Sequence, residues 1–243
     1  MAKKTTNRTG KAIRQRAKSA QPAQVHELKI TLHGSKPPIW RRIAVPSDMR
    51  LSDLHVVIQT VCGWTNSHLH QFVVRYPRPK PAHGEIAALV HSGQWEELAK
   101  YMQRDRCWSD PRMELEEAED EKKAKLCELA PAVKSKFIYE YDFGDGWDHQ
   151  IEVVKIGPPA EGINYPVCLK GKFACPPEDC GGIWGYYEML EALEDPKHER
   201  HEELVEWIGG HFDPKQFDLE EINAELAELR SGKSRRLWDP YGM

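Results

Sequence analysis

The amino-acid sequence predicts an α+β fold: a largely antiparallel sheet with helices packed on one face and a helical segment at the C-terminal end. Three observations lead there. Residues 25–46 hold two alternating stretches joined through Gly34, and a stretch of helical periodicity follows almost at once. Residues 137–154, "FIYEYDFGDGWDHQIEVV", alternate on both sides of a glycine-flanked aspartate, as a hairpin does. Strand, strand, helix, strand with short connections is the order of an antiparallel α+β sheet.

The elements follow in order. "VHELKITLH" places Leu28, Ile30 and Leu32 on one face and Lys29, Thr31 and His33 on the other, the pattern of a half-buried strand. "PPIWRRIAVP" is a second strand bounded by prolines. Ser52 is positioned to cap a helix through "DLHVVIQTVCGW", where Leu54, Val57, Ile58 and Val61 recur at helical spacing and Gly63 marks the stop. "HLHQFVVRYP" returns to strand. Residues 77–135 read as an excursion from the core: a proline-rich linker, an amphipathic helix in "EIAALVHSGQWEELAKYMQR" and a charge-dense segment with sparse apolar positions.

In the hairpin, apolar matching favours a three-residue loop Gly144-Asp145-Gly146 with Gly146 in the left-handed bulge position. That register pairs Phe143 with Trp147, Tyr141 with His149 and Tyr139 with Ile151, and gathers Asp142, Asp145 and Asp148 at the tip. Residues 157–182 are rich in proline and glycine and read as a long loop. Helices resume in "IWGYYEMLEALEDP" and "HEELVEWIGG". In "FDLEEINAELAEL", Asp218 caps, Glu221 stands three residues on, and Leu219, Ile222, Leu226 and Leu229 form the apolar stripe.

The net charge of −4 conceals an asymmetry. Residues 1–24 carry Lys3, Lys4, Arg8, Lys11, Arg14, Arg16 and Lys18 and no acid, which leaves −11 on the remainder. With one apolar residue larger than alanine after Met1, this segment reads as a disordered basic arm. It is either a solubilising tail or an arm that neutralises nucleic-acid phosphates. The organisation expected is thus an arm over 1–24, one α+β domain over 25–232 and a tail over 233–243. No stretch reaches the roughly 18 apolar residues of a membrane span and the beginning lacks a secretory h-region, so a cytoplasmic protein without a membrane partner is expected. Six cysteines in 243 residues do not form a disulfide framework.

Two clusters could carry chemistry. His68 and His70, two apart in a strand, project to one side and offer two nitrogen ligands; hydrogen bonds to neighbours are the competing reading. In "CPPEDCGG", Cys175 and Cys180 are separated by four residues and flank Glu178 and Asp179, a ligand mixture that selects no particular metal. A turn leading into a helix explains the same letters. The hairpin acids are either cation ligands or turn formers. There is no phosphate-binding loop or dinucleotide fingerprint, and no serine or cysteine stands in a nucleophile motif.

"HLHQF", "YEYDFGDGWDHQIEV", "CPPEDCGGIWGY" and "FDPKQFDLEEIN", in this order, resemble the plasmid pRi Orf-three-like family, whose members are often labelled passenger or TnpR-like proteins of insertion elements. The resemblance covers about residues 25–230 and implies a compact α+β fold and an association with plasmids or mobile DNA. A serine resolvase is not expected, because it requires a nucleophilic serine supported by an arginine cluster, and Arg41 and Arg42 have no serine placed for attack.

The reading preferred here is a non-catalytic accessory module that binds protein or nucleic acid and carries no resident cofactor. Its candidate surface is His68, His70, Asp142, Asp145, Asp148, His149, Glu178 and Asp179. The alternative is a metal-dependent enzyme of hydrolytic or phosphoryl-transfer type. It would draw a divalent metal's ligands from His68, His70, His149, Asp142, Cys175 and Cys180, with three histidines and one carboxylate converging.

Overall fold

A computed structural model describes residues 22–76, 80–102 and 105–231. All seven basic residues of the arm lie outside them. The elements run β1 (Val25–Leu32), β2 (Trp40–Pro46), α1 (Leu51–Cys62), β3 (His70–Val74), α2 (Glu85–Ser92), α3 (Trp95–Met102), β4 (Arg106–Ser109) and β5 (Ala118–Asp120). They continue with α4 (Leu126–Leu129), β6 (Lys136–Tyr141), β7 (Trp147–Gly157), β8 (Val167–Lys172), α5 (Gly182–Glu194), α6 (His201–Trp207) and α7 (Leu219–Ser231).

The strands form one eight-stranded sheet in the order β5-β4-β3-β6-β7-β1-β2-β8, antiparallel except for the β4–β5 pair. Alternation dictates its two faces. Leu28, Ile30 and Leu32 of β1, Phe72 of β3, Phe137, Tyr139 and Tyr141 of β6 and Ile151 and Val153 of β7 all turn inward and are buried. Leu54, Val57, Ile58 and Val61 of α1, Tyr186 and Met189 of α5 and Leu226 and Leu229 of α7 join the same core. The opposite face is solvated and laced by cross-strand ion pairs, Arg42–Glu27 at 2.7 Å and Lys136–Glu152 at 3.2 Å among them. Among the described residues no helix is long and apolar enough to cross a membrane.

Several expectations need correction. The first helix starts at Leu51 with Arg50 at its cap position, so Ser52 already lies inside it. The stretch 77–135 is not wholly an excursion. β4 pairs with β3, β5 pairs with β4, and Leu126 is fully buried. Its sparse apolar residues fall on two short strands at one end of the sheet and on short helices, where few are needed. Gly93 divides the expected amphipathic helix into α2 and α3. The 157–182 loop contains β8, paired to β2. Gly171 there is not a breaker: a Cβ at this position would stand 2.4 Å from the Phe217 ring and 2.9 Å from the Arg41 Cδ, so the strand needs glycine for close packing.

The hairpin register is shifted by two residues from the one expected. Tyr141 pairs with Trp147, Tyr139 with His149 and Phe137 with Ile151. A slip of two preserves which face each side chain takes, so apolar matching cannot distinguish the two registers. The longer connection places Phe143 in the loop, largely exposed, and Asp142 in a left-handed conformation at φ 54°.

Candidate functional site

Three loops meet at one end of the sheet, and each has a local reason to be there. The α1–β3 loop leaves α1 through Gly63 and packs Trp64 into the core, its indole N–H donating to the Pro176 carbonyl at 2.9 Å. The loop after β8 reaches back through Glu178, whose carboxylate accepts from the Thr65 N–H at 2.8 Å and the Thr65 hydroxyl at 2.7 Å. The Tyr141 hydroxyl also donates to Glu178. The hairpin loop is fixed by the Asp142 N–H, which donates to the Leu69 carbonyl at 2.8 Å, and by the Asp142 Oδ1, which accepts from Gly144 and Asp145 N–H groups at 3.0 and 3.3 Å. Asp145 accepts from the Gly181 N–H at 3.1 Å and closes the ring of contacts.

This framework brings His68, Asp142 and Asp179 together. The His68 imidazole stands between the two carboxylates, with Nδ1 3.6 Å from Asp142 Oδ2 and Nε2 3.2 Å from Asp179 Oδ1. One ligand-capable atom from each of the three residues lies within 4.8 Å of the others. Ligands at roughly 2.1 Å from a common ion are about 3.0 to 3.4 Å apart, so the trio has to draw closer around one nitrogen of His68 to share an ion. The Asp142 carboxylate is mostly buried and Asp179 is exposed, which gives the group a protein side and an open side.

The other predicted residues are placed elsewhere. His68 and His70 share a side, but β3 begins only at His70, and its Nε2 is 2.8 Å from the Glu121 carboxylate. Burial lowers the His70 pKa to about 3 and raises that of Glu121 to about 7, so both are pushed toward their neutral forms. The His70 ring stacks on His55 at 3.5 Å. His55 in turn meets the Tyr139 hydroxyl at 2.7 Å and Asn66 at 2.6 Å. His149 is buried against Trp64 and Tyr139, with its Nδ1–H donating to the Trp147 carbonyl at 3.1 Å. Burial lowers its pKa to about 4.

The three-histidine convergence therefore does not form: two of the three imidazoles are consumed in core hydrogen bonds. Asp148 turns to the solvated face of β7, Asp145 is spent on Gly181, and Glu178 on Thr65 and Tyr141. Neither cysteine joins the trio. Cys175 faces Arg41 and Cys180 lies 4.0 Å from the Gly182 carbonyl. Glu121, His55 and Tyr141 escaped the sequence reading. Only Tyr141 carried a signal, its place in the aromatic alternation next to Asp142.

Comparisons with known proteins agree with this fold. The family described as "Plasmid pRiA4b ORF-3-like protein" matches residues 24–221. The "Uncharacterized protein y4hQ" of Sinorhizobium fredii is 36% identical over 216 residues, covering 88% of this chain and 96% of that protein. A crystal structure of the protein of unknown function MM3350 from Methanosarcina mazei Go1 superposes with a TM-score of 0.66 at 37% identity, covering 82% of this chain and 98% of that one.

Proposed function

The chain belongs to the plasmid pRiA4b ORF-3-like family, and we propose that it is a divalent-cation-dependent binding module, a non-catalytic accessory protein of plasmids or mobile elements. The convergence of His68, Asp142 and Asp179 from three separate loops carries this reading. One imidazole and two carboxylates suit Mn²⁺, Zn²⁺ or Mg²⁺, and three protein ligands leave positions open for an oxygen of a bound partner, a carboxylate or a phosphate. The basic residues Lys3 to Lys18 add a charge complement for phosphate.

Metal content of tag-free protein, measured by mass spectrometry and compared between the parent and a His68→Ala, Asp179→Asn double variant, tests the reading. Near-stoichiometric metal that the double variant loses supports it. Equal content in both, or less than about a tenth of an equivalent in the parent, overturns it.

A metal-dependent hydrolytic or phosphoryl-transfer enzyme is the second reading. It is favoured by Tyr141, whose ring packs edge-on against the His68 imidazole at 5.7 Å and whose hydroxyl donates to Glu178, a protonated group that could serve as a proton donor. Hydrolysis of bis-p-nitrophenyl phosphate in the presence of Mn²⁺, lost in Asp142→Asn, would move the weight to this second reading.

A further inference from the structure

Two thiols outside the cation site lie against each other in the core. Cys62 ends α1 and Cys175 stands in the loop after β8. Both are buried free thiols, and the segments that carry them are pinned together: the Arg41 guanidinium donates to both the Val61 carbonyl and the Cys175 sulfur, and the Trp64 indole N–H donates to the Pro176 carbonyl. Arg41, on the inward face of β2 and only 4% exposed, supplies the third member, its Nη2 3.3 Å from the Cys175 sulfur.

The partners of Arg41 define what that sulfur does. The guanidinium donates to the carbonyls of Val61 at 2.8 Å, Trp40 at 3.0 Å and Lys172 at 3.2 Å, and packs on the Phe217 ring at 4.9 Å. Among the described residues no carboxylate pairs with it. A buried guanidinium favours a counter-charge, and the sulfur it touches directly is that of Cys175, whose thiolate would supply one. The hydrogen bond from Cys62, assisted by Arg41, outweighs burial and draws the Cys175 pKa down to about 7. Cys62 is held well above the usual thiol value, first by its role as donor. Burial alone acts in the other direction elsewhere, raising Cys168 to about 11 and Cys180 to about 12.

We propose that Cys62 and Cys175 are a modification site, an oxidisable dithiol at which hydrogen peroxide forms a disulfide joining α1 to the loop that carries Glu178 and Asp179. The Cys175 thiolate attacks one peroxide oxygen, the O–O bond breaks, and hydroxide leaves, giving a sulfenic acid on Cys175. The Cys62 sulfur then attacks the Cys175 sulfur and expels a second hydroxide, while the Cys62 proton and one from solvent complete two waters. Two electrons pass from the two sulfurs to the peroxide. The disulfide removes the negative charge facing Arg41 and ties the Asp179 loop covalently to α1, four residues upstream of Asp179. The inference stands independently of the cation reading, since its readout is a covalent bond.

The test uses the full chain, reduced, freed of reductant, exposed to a small excess of hydrogen peroxide and quenched with a thiol alkylator before peptide mapping by mass spectrometry. The expected product is a peptide pair linked through Cys62 and Cys175, lighter by two hydrogens and split by reductant. Cys62→Ser should stop at the sulfenic acid and take up dimedone at Cys175, whereas Cys175→Ser should leave Cys62 alkylated and unoxidised. Linkage of other cysteines in the parent, or no linked pair while exposed thiols oxidise, overturns the proposal without recourse to any variant. Dimedone uptake by Cys62→Ser no greater than by the parent also overturns it.

Discussion

The carbonyl oxygen of Asp145 and the α-carbon of Gly182 are so close that a Cβ on Gly182 would stand 2.4 Å from that oxygen. The hairpin tip therefore rests on the first residue of α5, and the contact holds Asp142 and Asp179 in one neighbourhood. Gly182 also has φ 69°, a region that side-chain-bearing residues adopt at a cost. Gly182→Ala should lower stability by about 2 kcal/mol or more, clash and backbone strain combined. A denaturation midpoint equal to the parent's would show that the tip does not rest there.

Gly146 is the instructive contrast. It has φ 70°, but no atom lies within 4 Å of the Cβ it lacks. Gly146→Ala should meet conformational cost alone, about 1 kcal/mol, and leave the cation site intact. Urea midpoints for the two variants, measured side by side, separate strain from steric contact. A larger loss at Gly146 than at Gly182 would reverse the assignment.

These two glycines mark how far the sequence could be read. The strands were visible because one face is buried and the period is two, and the Asp218 cap was visible because its carboxylate accepts from the Glu220 and Glu221 N–H groups. The hairpin register was not, since a shift of two residues keeps every side chain on its face. It is held by the β1 and β3 neighbours of the hairpin, which lie far away in sequence. β8 was hidden because Gly171 serves a packing role that looks like a break. Asp142 and Asp179 were both candidates, but nothing in their spacing says that they meet beside His68 while His70 turns to Glu121.

Stability should fall as pH drops, and the window follows from His149. Burial lowers its pKa from 6.5 to about 4. Between those values the unfolded chain is protonated and the folded chain is not, so falling pH favours unfolding. Above pH 6.5 both states are neutral and the contribution is flat. The full span corresponds to roughly 3 kcal/mol on going from 6.5 to about 4. His26, His55 and His70, their pKa values also lowered by burial, add in the same direction, while Glu121, raised to about 7, opposes them. Chemical denaturation from pH 7.5 to 4.5 checks this, and His149→Gln, which keeps a donor for the Trp147 carbonyl, should flatten the slope. An unchanged slope in that variant would remove His149 from the account.

The cation site has a variant that separates folding from binding. Asp142 has φ 54°, a conformation that asparagine adopts as readily as aspartate, and its Oδ1 accepts from Gly144 and Asp145 N–H groups, which an amide oxygen can also do. Asp142→Asn should therefore fold with a stability within about 0.5 kcal/mol of the parent. What it loses is the negative charge that Oδ2 presents 3.6 Å from His68 Nδ1. Titration with Mn²⁺ or Zn²⁺ should raise the parent's melting temperature, since ligand at 100 times Kd adds about 2.7 kcal/mol to the folded state. The same titration should act on Asp142→Asn only at cation concentrations at least about tenfold higher, a difference of about 1.4 kcal/mol. Equal titration midpoints in two equally stable proteins would mean that any cation binds elsewhere. A parent that no divalent ion stabilises would leave His68, Asp142 and Asp179 as a polar contact where three loops meet.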